Sequence, residues 1–166
     1  MLVRFWGVRG SLPTPIRSET IRAKIIEALH RAKGVDLNDE EAIEVFVDDL
    51  PFEIKGTCGG NTSCVEVLTE KEHIILDAGS GFRELGLNLM SGEFGEGRGS
   101  LHVFISHTHW DHIQGFPYFI PAFVAGNRIR VYSPKKDIAD RFTSQQIDQD
   151  MHPIAVSYTH LTLPTN

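Results

Sequence analysis

Residues 106–116, SHTHWDHIQGF, place His107, His109, Asp111 and His112 within six positions of a chain that has only 8 histidines. Imidazole and carboxylate are metal-ligand groups, and their spacing decides what they can share. In an extended segment, residues two apart point the same way, so His107 and His109 can present their rings to one cation. A turn at Trp110 into a helix would redirect Asp111 and His112 toward a neighbouring second cation. Donors of this kind, without thiolate, suit zinc best and also admit manganese or iron. Two divalent ions a few ångströms apart can hold a hydroxide between them and clamp the attacking and leaving oxygens of a hydrolysis.

Upstream, ILDAGSG puts Asp77 at the end of a buried strand before a glycine-rich turn. There a carboxylate can accept hydrogen bonds from the metal loop, as ligating histidines require of their surroundings. The alternative is an ordinary helix-cap aspartate. The GGNTS segment, 59–63, offers close backbone approach and an amide at Asn61, with a plain strand-entry turn as an equal reading.

The elements that must position these groups follow from pattern. LVRFWGV reads as an opening strand closed by RGSLPTP. Ile21, Ile25, Ala28 and Leu29 recur at helical spacing after Ser18, the expected N-cap, and Gly34 ends that helix. A second helix is expected from Asn38, with Glu41 in a capping-box position. Together these make residues 17–50 an inserted helical hairpin, a scaffold elaboration that could also serve as a lid or an oligomer contact. SCVEVLT, HIILDAG, LHVFIS and RIRVY read as strands, and their consecutive apolar residues predict cover on both faces. Helices are expected at GSGFRELGLNLM, through GFPYFIPAF, and near KKDIADRFTSQQ. Strands with covering helices indicate an α/β or α+β layered domain.

Composition bounds the function. Net charge is −6 and no basic stripe is visible, which favours a small substrate over RNA. No apolar run is long enough to cross a bilayer, and MLVRFWGVRG lacks a secretory core, so a cytoplasmic protein is expected. Cys58 and Cys64 fit a reducing compartment, as small buried thiols rather than a disulfide or a metal pair.

HTHWDH, preceded by LDAG and GGNTSC, resembles the metallo-β-lactamase-fold hydrolases. With FWGVRGS and SHTHWDHIQGFPYF it is similar to the branch near tRNA 3′-end-processing endonucleases and phosphodiesterases of cyclic phosphates. The resemblance runs over residues 1–155 and implies an αββα sandwich, here its N-terminal half, with a dinuclear site at the sheet edge. It assigns His107 and His109 to the first metal, Asp111 and His112 to the second, and Asp77 to supporting the site from beneath. Asp111 would also help to position the attacking hydroxide and pass protons. Cys58 departs from the pattern, standing where an aromatic residue is expected. A further histidine, a bridging aspartate and a final histidine are also implied. After His112 the chain has only His152, His160, Asp137, Asp140, Asp148 and Asp150, none in a strand-end setting.

The last stretch, VSYTHLTLPT, is what a transposase mosaic end joined to a sequencing-library adapter would encode. Residues 156–166 are therefore expected to be non-native, with the second half of the fold missing and the chain as written inactive or weak. For the intact protein the expected activity is metal-dependent hydrolysis of a small, cyclic or nucleotide phosphodiester. The alternatives are an RNA 3′-processing nuclease, a thioester or lactone hydrolase on the same scaffold, and a non-catalytic metal-binding sensor.

Overall fold

Six residues of the opening strand, β1 (Leu2–Gly7), start a five-stranded sheet whose order follows the chain: β1, β2 (Cys64–Leu68), β3 (His73–Leu76), β4 (Ser100–Phe104) and β5 (Arg128–Tyr132). The structure is a computed structural model, and it describes residues 1–57, 59–70 and 72–147. Cys58, His152, His160, Asp148, Asp150 and the segment 156–166 lie outside the described residues.

β1 and β2 are antiparallel, as are β2 and β3, whereas β3, β4 and β5 run parallel. Parallel neighbours need crossovers, because a tight turn cannot return the chain to the same end of the sheet. Helix α4 (Gly81–Leu89) makes the first crossover. The second passes through α5 (Trp110–Ile113) and two 3₁₀ turns, Phe116–Tyr118 and Ile120–Phe123. A continuous helix through GFPYFIPAF is thus not formed. Pro117 and Pro121 lack the N–H that an α-helix interior requires, and short 3₁₀ turns with proline in their first positions take its place.

One face of the sheet is packed. Ile75, Val103 and Val131 stand in register across three strands, beside Leu101 and Ile129. They meet Phe82 and Leu85 of α4, Phe116 and Phe119, and Ile138 and Phe142 of α6 (Ile138–Ile147) in one apolar cluster. Phe82 stacks on Phe119 with ring centroids 3.9 Å apart. The opposite face corrects the expectation of two-sided cover: Phe5 is 71% exposed, Leu76 44% and Phe104 42%. Among the described residues there is one sheet, with its buried core on one side. The fold is a mixed α/β layer, a five-stranded sheet with α4 and α6 packed on one face.

Thr14–Gly60 forms a second compact unit. It holds α1 (Ser18–Arg31), α2 (Glu40–Asp49) and α3 (Phe52–Lys55). Arg17, not Ser18, occupies the N-cap of α1, with extended backbone and no side-chain cap. In α2 the cap is Asp39, whose carboxylate accepts from Glu41 N at 3.1 Å, while Asn38 is turned to Asp36. Lys24 binds the carbonyls of Glu53, Ile54 and Gly56, satisfying acceptors that the short α3 leaves open at its end.

Candidate metal centre

The sheet positions the site through the ends of β3 and β4. Asp77 follows β3 and extends its pairing with β4, its N–H donating to Phe104 O at 2.9 Å. Its φ of 62° is a left-handed conformation that a side-chain-bearing residue adopts at a cost. That turn keeps the carboxylate beside the strand ends, buried, where its acceptor sites are filled. Ser106 donates from N (2.8 Å) and Oγ (2.8 Å) to Oδ1. His112 Nδ1 lies 2.7 Å from Oδ2, and Ser63 Oγ donates to the same oxygen at 3.4 Å.

These bonds orient the imidazoles. A carboxylate only accepts, so His112 donates from Nδ1 and its Nε2 keeps the lone pair. With the Ser106 hydroxyl committed to Asp77, its oxygen accepts from His107 Nδ1 at 3.0 Å, which likewise frees His107 Nε2. One buried carboxylate, directly and through one serine, thus sets the tautomer of two histidines, an arrangement typical of metal-ligating imidazole. The rings are close: His107 to His109 is 4.5 Å between centroids, and His107 to His112 is 4.0 Å.

Asp111 is the second residue of α5, after Trp110, and its Oδ2 lies 3.4 Å from His112 Nε2. Two donors at zinc–ligand distances of about 2.0–2.1 Å in tetrahedral geometry are separated by about 3.3 Å, so this pair matches one edge of a zinc tetrahedron. Asp111 also accepts from Ser11 N at 2.9 Å. That bond holds its carboxyl below the ordinary carboxylate value; burial opposes it, and the nearby His112 and His109 add weaker effects in the lowering direction. The donor chemistry and this edge fit a divalent ion. No three of histidine, cysteine, aspartate and glutamate among the described residues are grouped to hold one. Among the described residues there is thus one candidate edge and no closed site.

The loop is seated by close backbone approach. Ala78 N donates to His112 O at 2.8 Å and Gly115 N to Ala78 O at 2.9 Å. A Cβ on Gly115 would lie 1.9 Å from Gly79 O, so only glycine admits this crossing. The GGNTS segment, left open between site and turn, joins the same assembly. Thr62 Oγ1 accepts from Ser80 N (2.8 Å) and Gln114 Nε2 (2.9 Å), and Asn61 Oδ1 accepts from Ser80 Oγ at 3.0 Å.

Ser106, Ser63 and Ser11 were not anticipated. Ser106 precedes the motif directly, the one signal that could have drawn attention to it. Ser11 lies 100 positions from Asp111 and carries no signal beyond the VRGS turn. Cys64 is a free buried thiol, as expected.

Against known proteins, residues 56–132 match the family model of the metallo-beta-lactamase superfamily. No curated protein matches the chain. Among solved structures, the short form of human tRNase Z aligns at 19% identity with a TM-score of 0.45, over 98% of this chain and 46% of that one. The chain thus spans about half the length of that protein. The matched segment, 56–132, holds the histidine–aspartate group and the strand ends around it.

Proposed function

We propose that this chain carries the first group of ligands of a dinuclear metal-dependent hydrolase that acts on a small, cyclic or nucleotide phosphodiester. His107 and His109 would hold one ion, and Asp111 and His112 the other, with zinc the best match and manganese or iron compatible. The observation that carries the reading is the Asp77 hub. It turns His112 Nε2 outward directly and His107 Nε2 through Ser106, and His112 Nε2 lies beside the Asp111 carboxylate.

When bound, such ions supply Lewis-acid charge that neutralises the negative charge developing on phosphoryl oxygens. The protein's own groups do the rest. Ser11 N keeps Asp111 ionised and fixes the rotation of its carboxylate. Asp111 would then present a fixed carboxylate oxygen to accept a hydrogen bond from an incoming water and position it. Asp77 orients the two imidazoles so that Nε2 of each faces away from it. The net charge of −6 supports a small substrate rather than a long polyanion.

Two measurements test this. Cobalt(II) and zinc titrations of the 166-residue chain should show binding that Asp111→Asn and His112→Ala weaken. Hydrolysis of bis-para-nitrophenyl phosphate by the intact enzyme should need zinc or manganese and be lost in Asp111→Asn. Binding without turnover of any ester would favour a metal-sensing module. Turnover of thioesters or lactones alone would move the substrate class, and no divalent-ion binding at all would refute the reading.

A further inference from the structure

The unit Thr14–Gly60 has almost no core of its own. Among its described residues only Leu50 and Ile54 are buried apolar side chains, and neither belongs to the main apolar cluster. No residue of α1 or α2 is buried. Yet both helices carry large apolar groups in the open: Ile25 is 55% exposed, Leu29 63% and Val45 64%. So small a unit needs further burial or a partner. Exposed apolar residues gathered on one helix face mark a contact surface.

Charge narrows the partner. Between 17 and 33 the chain has five lysines and arginines against two glutamates; between 36 and 49 it has seven carboxylates and no basic residue. The same split runs over the exposed faces. On α1, Arg22 lies one turn before Ile25 and Ile26, Leu29 lies one turn after them, and Lys33 follows just past the helix end. On α2, Val45 lies between Glu41, one turn before it, and Asp48, one turn after it. Lys24 and Arg31 are occupied, by the carbonyls of Glu53 and Gly56 and by Glu27. Arg22, Lys33, Glu41 and Asp48 are exposed, and none is in an ion pair among the described residues.

We propose that the helical unit is a dimer contact whose partner is a second copy of this chain. α1 of one protomer lies on α2 of the other, so that Ile25, Ile26 and Leu29 cover Val45 while Arg22 and Lys33 meet Glu41 and Asp48. A two-fold axis repeats the contact with the roles exchanged, and both faces are covered at once. Packing α1 on its own copy would set basic residues against basic ones, and α2 on its own copy would set carboxylates against carboxylates. Apolar centres flanked by opposite charges reproduce the dry centre and polar rim of a protein–protein contact. The contact requires neither bound metal nor the open face of the sheet.

Sedimentation equilibrium of the full chain tests this. The wild type should show a monomer–dimer equilibrium that weakens as sodium chloride rises. Arg22→Glu with Lys33→Glu should raise the dissociation constant roughly tenfold or more, and Glu41→Lys with Asp48→Lys should do the same. All four side chains are exposed, so helix content by circular dichroism should not change. Mixed in equal amounts, the two double variants should form a heterodimer about as tight as the wild type, because each reversed α1 then meets a reversed α2. That rescue separates a contact from a folding defect. Leu29→Ser should abolish the dimer, and Phe104→Lys, on the open face of the sheet, should leave it intact. A monomeric wild type, a dimer indifferent to either double reversal, or no association in the mixture would overturn the proposal. Loss of the dimer in Phe104→Lys would assign it to the sheet instead and overturn the proposal as well.

Discussion

The two faces of the sheet are made of similar residues and meet opposite fates. On one face Ile75, Val103 and Val131 lie side by side and are fully enclosed. On the other, Phe5, Val65, Leu76, Phe104 and Tyr132 form a row of matching register across all five strands, and Phe5, Leu76 and Phe104 remain exposed. The difference lies in what packs against them. Phe82, Leu85 and Phe142 arrive from α4 and α6 on the first face only. Apolar residues state what can be buried; a neighbouring layer decides what is. An exposed apolar row of this width marks a surface suited to a covering partner, and a liability for self-association without one.

The sharpest way to break this comparison is to shorten one aromatic on each side. Phe82 is wholly buried and stacked on Phe119, so Phe82→Ala should cost about 3–5 kcal/mol in urea unfolding through lost burial and the cavity left behind. Phe104→Ala, on the open face, should change stability by no more than about 0.5 kcal/mol. Phe104→Lys should also lower light scattering at high concentration. Equal costs at the two positions would mean that the open face is covered in solution.

Asp77 sits where the two faces end and makes hydrogen bonds rather than apolar contacts, accepting from Ser106 and His112. Asp77→Asn puts an N–H₂ or a weaker acceptor opposite His112 Nδ1, disturbing the tautomer that the carboxylate imposes. Divalent-metal affinity should fall about 10–100-fold, measured by competition with a chromophoric chelator. Unchanged affinity would separate Asp77 from metal binding and leave it a structural turn.

What was legible in the sequence was the clustering, because H-x-H-x-D-H spacing states its chemistry within a single loop. Asp77 was legible as a candidate from its place between a buried strand and glycines, with a helix-cap aspartate as the competing reading. Ser106 and Ser11 were not, since a hydroxyl or a backbone N–H has no type-specific signature, and Ser11 reaches Asp111 only through the fold. The 3₁₀ turns were misread because apolar periodicity outweighed Pro117 and Pro121. One-sided cover is not readable from periodicity, which describes a strand and not the layer beside it; only the expected loss of the second half of the fold pointed to an open face.

The packed face also has a polar exception that sharpens the contrast. Glu66 is buried among apolar neighbours, with Trp6 Nε1 donating to its Oε2 at 3.0 Å and Arg4 Nη1 at 3.5 Å. Its other oxygen lies 3.3 Å from His73 Nδ1, a contact without hydrogen-bond geometry. Trp6→Phe keeps the ring and removes the better donor, and should cost about 1 kcal/mol because Arg4 still reaches the same oxygen. If Glu66→Gln in the Trp6→Phe background restores nothing and costs nothing more, the carboxylate is not held by charge-assisted bonds.

The smallest effect expected is at Cys64, on the same enclosed side of β2. Burial, then the charges of Glu66 and Asp77, push its thiol well above the ordinary value of 9.0. The native chain therefore disfavours the thiolate, the form that reacts. In a Cys58→Ser background, iodoacetamide at pH 8 should leave the folded chain unmodified and alkylate it promptly in urea. The linkage has a definite sign: the folded state holds this proton more tightly than the unfolded one. Its contribution is complete below the unfolded thiol's range and declines as pH rises above about 9. The urea midpoint should thus fall slightly in that range, and Cys64→Ala should flatten that part of the profile. Rapid alkylation of the folded chain would show that the enclosed face opens, and the contrast between the two faces would then be one of degree.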